Sequence, residues 1–77
     1  MALVRKLAEI KKQRQSVHEE VDCAFSVFSD ARGRKYLQLE TFGLPTRKLR
    51  GKTSQSIQFD EVSLRKLSQI IDAVLRR

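Results

Sequence analysis

Four cations stand within six positions at Arg47, Lys48, Arg50 and Lys52, and residues 47–53 hold no acid. Side chains of one sign this close repel one another unless an anion relieves them. Phosphate oxygens do so with directed hydrogen bonds to Arg and Lys. A second basic group, Arg32, Arg34 and Lys35, ends at Tyr36, whose ring is a flat surface on which a base can stack. This chemistry is that of a polyanion laid along a surface with an aromatic platform.

Other chemistry finds fewer residues. There is one His, His18, and one Cys, Cys23, five positions apart and on segments of different period, so nothing holds them as a nucleophile and base. One His with one Cys also falls short of the four N or S ligands of a structural zinc site, so no metal and no cofactor is expected. Cys23 falls on an apolar parity, as an inert core thiol would. The acidic pairs Glu19-Glu20 and Asp60-Glu61 suit helix ends, where adjacent side chains point apart. Gly51-Lys52-Thr53 looks like the tail of a phosphate-binding loop, but the Gly required five positions earlier is Thr46, and a strand pattern follows rather than a helix. The chain is not read as an enzyme.

The whole sequence agrees with a polyanionic partner. Its 77 residues carry 16 Lys and Arg against 9 Asp and Glu, a net +7, of which residues 47–53 contribute four charges without opposition. Hydrophobic residues at 40% and charged ones at 32% mark a folded domain rather than a disordered one. A domain this small buries only about 60% of its unfolded surface, so a homodimer is expected. A lone cysteine, no signal-peptide pattern and no long apolar run point to the cytoplasm and away from a membrane.

Three kinds of element must position these groups. Residues 1–20 lack Gly and Pro and repeat apolar residues at Leu3, Leu7, Ile10 and Val17, followed by Val21, which predicts an amphipathic N-terminal helix. From Val21 the period becomes two, with Cys23, Phe25 and Val27 on one face. Ser29-Asp30-Ala31-Arg32-Gly33 reads as a turn, and Lys35–Phe42 as a second strand with Leu37, Leu39 and Thr41 inward. Tyr36 and Phe42 then take the opposite parity, with Phe28. Gly43-Leu44-Pro45 ends the strand, residues 46–53 read as a loop, and Ser54–Phe59 reads as a third strand. Asp60 caps a helix that runs to the C-terminus with Leu64, Leu67, Ile70, Ile71, Val74 and Leu75 on its apolar face. The expected fold is α+β: a helix at 1–20, then a β-β-β-α domain at 21–77 with a three-stranded antiparallel sheet, a hairpin plus one strand.

Gly51-Lys52, the alternating run that ends Ile57-Gln58-Phe59-Asp60, and the long amphipathic helix after it resemble the end of PC4-like single-stranded-DNA-binding domains, the transcriptional coactivator p15 group. The likeness covers roughly residues 21–77 and rests on Gly51, Lys52, Ile57 and Phe59. It implies a curved antiparallel sheet followed by a helix, and binding of single-stranded DNA on a basic, aromatic-bearing sheet. The expected function is a small nucleic-acid-binding protein of low sequence specificity, favouring single-stranded DNA over RNA. Arg47, Lys48, Arg50, Lys52, Arg32, Arg34 and Lys35 would meet phosphates, and Tyr36 a base. The alternative is an adaptor or inhibitor that docks the same basic loops on an acidic protein.

Overall fold

The computed structural model describes residues 1–42 and 53–77, with backbone alone at 53 and 54. Strands β1 (Ala2–Val4), β2 (Cys23–Ser29), β3 (Lys35–Phe42) and β4 (Thr53–Phe59) precede a single helix, α1 (Glu61–Leu75). The strands form one sheet in the order β1-β4-β3-β2. β2 pairs with β3, and β3 with β4, antiparallel; β1 lies parallel to β4 on the far edge.

The hairpin follows the expected chemistry. Asp30 and Gly33 close a turn through a Gly33 N–H bond to the Asp30 carbonyl at 3.0 Å, and Gly33 takes φ +78°. That left-handed position costs a Cβ-bearing residue dearly, so the turn needs Gly where the sequence has it. The register then sets Val27 opposite Leu37 and Phe25 opposite Leu39, and in turn Leu37 opposite Phe59 and Leu39 opposite Ile57. One face of the sheet is thereby apolar across three strands, as alternation requires.

Helix α1 packs on β3 and β4 from that apolar side. Asp60 caps it: its Oδ1 accepts the Ser63 N–H at 2.9 Å, and the Ser63 hydroxyl donates to the Asp60 carbonyl at 3.1 Å. Phe59, just before the cap, is 6% exposed and is the buried hydrophobic residue among those described; Ser63 is buried beside it. Leu64 and Leu67 are half-buried, whereas Ile70, Ile71 and Val74 become progressively more exposed along the helix.

Two expectations are corrected. No helix forms at the N-terminus: residues 2–4 are a strand and residues 5–22 are irregular and mostly exposed, with Val17 97% exposed. The heptad-like spacing is interrupted at Arg14, and a short helix is marginal in water unless its apolar stripe is covered. Ala2-Leu3-Val4 instead satisfies its backbone on the open edge of β4, with Ala2 opposite Ile57 and Val4 opposite Phe59. The sheet therefore has four strands rather than three and is mixed rather than antiparallel. Among the described residues, no helix is long and apolar enough to cross a membrane.

Candidate nucleic-acid interface

Of the residues singled out in the hairpin, Arg32, Arg34 and Tyr36 gather around one carboxylate. Asp30 Oδ1 accepts the backbone N–H groups of Arg32 and Arg34, both at 2.9 Å. Its Oδ2 accepts the Arg34 Nε–H at 2.6 Å and the Tyr36 hydroxyl at 3.0 Å. Partial desolvation pushes the Asp30 acid upward, but the bonds from the Arg34 N–H, the Arg34 guanidinium, Tyr36 and the Arg32 N–H outweigh it and hold it at about 2. The same contact raises the Arg34 guanidinium, and the carboxylate beside its hydroxyl raises Tyr36, with desolvation adding to the rise.

This geometry divides the basic cluster. Arg34 pairs with Asp30 through Nε while its side chain stays 61% exposed. Arg32 lies exposed on the turn. Lys35 takes the parity of Leu37, on the helix-bearing side, whereas Tyr36 takes the other side. Lys35 and Tyr36 thus do not share a face.

On the face away from α1, Phe28 and Tyr36 stand opposite each other across β2 and β3, with ring centroids 5.3 Å apart and planes 19° from parallel. Phe28 is 39% exposed. The Tyr36 hydroxyl is fixed by Asp30, so the ring is anchored at its far end as well as by the stack. Phe42 falls after a register shift at Thr41/Phe42, which breaks the alternation that would align it with Tyr36.

A polar chain continues along this face. Gln58 Nε2 donates to Gln38 Oε1 at 2.7 Å, and Gln38 Nε2 donates to Glu40 Oε1. An ionised carboxylate only accepts, so Glu40 sets the direction of both amides. Met1, Leu3 and Ser56 join these residues in lining a shallow groove. Sequence reasoning missed the chain because the pairing of Gln38 with Gln58, twenty residues apart, follows from register alone.

Arg47, Lys48, Arg50 and Lys52 lie outside the described residues. The strand ends that flank them, Phe42 and Thr53, stand opposite each other at the end of the sheet away from the Asp30–Arg34 turn. Cys23 shares the parity of Phe25 and Val27 as expected, yet it is exposed and not a core thiol, because β2 is an edge strand that α1 does not cover. Among the described residues no three of His, Cys, Asp and Glu come together as metal ligands would. No family model, curated protein or solved structure matches the chain.

Proposed function

We propose that this chain is a small nucleic-acid-binding module that takes single-stranded DNA, and RNA by the same chemistry, with low sequence specificity. The observation that carries the reading is the Phe28–Tyr36 stack on the sheet face opposite the helix, anchored by Asp30. Tyr36 stacks on a base; Arg32 and Arg34 at one end, with Lys35 at its margin, and Arg47, Lys48, Arg50 and Lys52 in the segment between β3 and β4 meet phosphates. The net charge of +7 favours such a partner over a neutral one. The order of β2, β3, β4 and α1 is in keeping with the PC4-like resemblance, from which the parallel β1 departs. The reading sets the protein in the cytoplasm, where Cys23 stays a thiol.

Fluorescence anisotropy with labelled single- and double-stranded oligonucleotides over a salt series tests it. Each phosphate neutralised on a single strand contributes a log–log slope of about −0.7, so three to five contacts give roughly −2 to −3.5. Tyr36→Ala is expected to weaken binding on the order of tenfold with the slope unchanged, since a ring carries no charge. Flat or absent binding at low salt overturns the reading. It would turn attention to the adaptor alternative, in which the cations meet carboxylates of an acidic protein.

A further inference from the structure

Three polar side chains on the sheet face opposite the helix are tied to one another rather than left to water. The register places Gln58 beside Gln38 across β4 and β3, and Glu40 follows Gln38 on the same face. Gln58 Nε2 donates to Gln38 Oε1 at 2.7 Å, Gln38 Nε2 donates to the Glu40 carboxylate, and all three residues are half-buried. An amide has two N–H donors and two acceptor lone pairs, so this chain does not exhaust either one. Among the described residues, Gln38 keeps one N–H and one lone pair, and Gln58 keeps one N–H and both lone pairs of Oε1. On the helix side, by contrast, β2 exposes apolar Phe25 and Val27 at 73% and 70%.

The amides lie where a strand held by Tyr36 would continue. Tyr36 and Gln38 are two residues apart on one face of β3, about 7 Å along the strand. Leu3 of β1 stands opposite Gln58 in register and is 47% exposed, which gives the groove an apolar side wall. The groove holds about 570 Å³, within the roughly 300–1,000 Å³ of small-ligand sites. Glu40 is among its lining residues, and a carboxylate disfavours a phosphate beside it. Phosphates are then left to Arg32 and Arg34 and to the cations of residues 47–52, and what remains for the groove is a base.

We infer that the Gln38–Gln58 amides take the pairing edge of an unpaired base next to the one stacked on Tyr36, and thereby select single strands; the inference rests on the nucleic-acid reading above. A primary amide sets an acceptor beside a donor. Every unpaired base does the same on its pairing edge: an amino group beside a ring nitrogen in adenine and cytosine, a ring N–H beside a carbonyl in guanine, thymine and uracil. Gln58 therefore pairs with any of them, which keeps sequence specificity low. In a duplex those edges are spent on the partner strand, and the amides have nothing to bind. Direction matters as much as chemistry. Glu40 only accepts, so it fixes the Gln38 amide with its carbonyl toward Gln58, and that carbonyl in turn holds Gln58 through Nε2. The amide is oriented before the base arrives, which spares the cost of ordering it.

Fluorescence anisotropy of the full chain with a labelled thymine oligonucleotide and with its 3-methylthymine counterpart tests this. The methyl group removes the N3–H donor and leaves backbone charge and ring stacking in place. The parent chain is expected to bind the unmodified strand at least about fivefold more tightly, with equal salt slopes for the two strands. Gln58→Leu should weaken the unmodified strand to the level of the methylated one and leave duplex binding unchanged. If Gln58→Leu does not fold, the comparison of the two strands on the parent chain still decides. Equal affinities of the parent for both strands, with steep salt dependence, overturn the inference and leave the nucleic-acid reading standing. So does a preference for the unmodified strand that survives in Gln58→Leu. Binding to neither strand at low salt overturns that reading and this inference together.

Discussion

At Asp30, two backbone N–H groups, a guanidinium and a phenol converge on one carboxylate, and the consequence is a measurable acid limb. The acid is held at about 2, below its ordinary 3.8, because its bonds favour the charged form over the desolvation that opposes them. A depressed folded value means that the contribution to stability is fully present above 3.8 and is lost as pH falls toward 2. The melting temperature is therefore expected to decline between about pH 4 and pH 2, and Asp30→Asn to remove part of that decline while lowering stability at neutral pH. An identical acid limb in Asp30→Asn would show that the carboxylate is not held as described. The sequence made the turn readable through Asp30 and Gly33. It did not show that Tyr36 reaches back six residues to the same carboxylate, which needs the hairpin closed first.

Among the elements, α1 was the most legible and the N-terminal segment the least, for one physical reason. The Asp60 cap is local chemistry, a side chain three residues from the N–H it accepts. Asp60→Ala is expected to lower the melting temperature by roughly 4–8 °C, and Asp60→Asn, which can still accept from Ser63, by much less. Thermal unfolding by circular dichroism separates the two; equal losses would mean that charge rather than capping holds the helix end. Residues 1–20 carried an equally plausible helical pattern, but a pattern supplies no surface to bury it on. Val17 and Ile10 remain 97% and 67% exposed, while Ala2–Val4 finds hydrogen bonds on the edge of β4. Pairing between residues 2–4 and 57–59 is a contact of long sequence separation, and no local period announces it.

Across the whole molecule, stability rests on a small buried centre. Phe59 sits where β1, β3, β4 and α1 meet, so Phe59→Ala removes the buried ring common to the sheet and the helix. Truncating a buried Phe costs about 3–5 kcal/mol, a large share of the roughly 5–15 kcal/mol that holds a domain together. Loss of a cooperative thermal transition is expected. A melt within a few degrees of the parent would mean that the packing of α1 on the sheet is not what holds the fold. By itself the sequence determined the hairpin, its turn, the presence of a strand before Asp60 and the helix cap, because each depends on residues a few positions apart, and the excess of positive charge, which is a sum over composition. Only the tertiary structure decided that residues 2–4 join the sheet in parallel, that Gln38 meets Gln58, and that Phe28 stacks on Tyr36 while Phe25 and Val27 stay bare. Those outcomes depend on register and on how far one short helix extends across a sheet, quantities that exist only once distant segments have met.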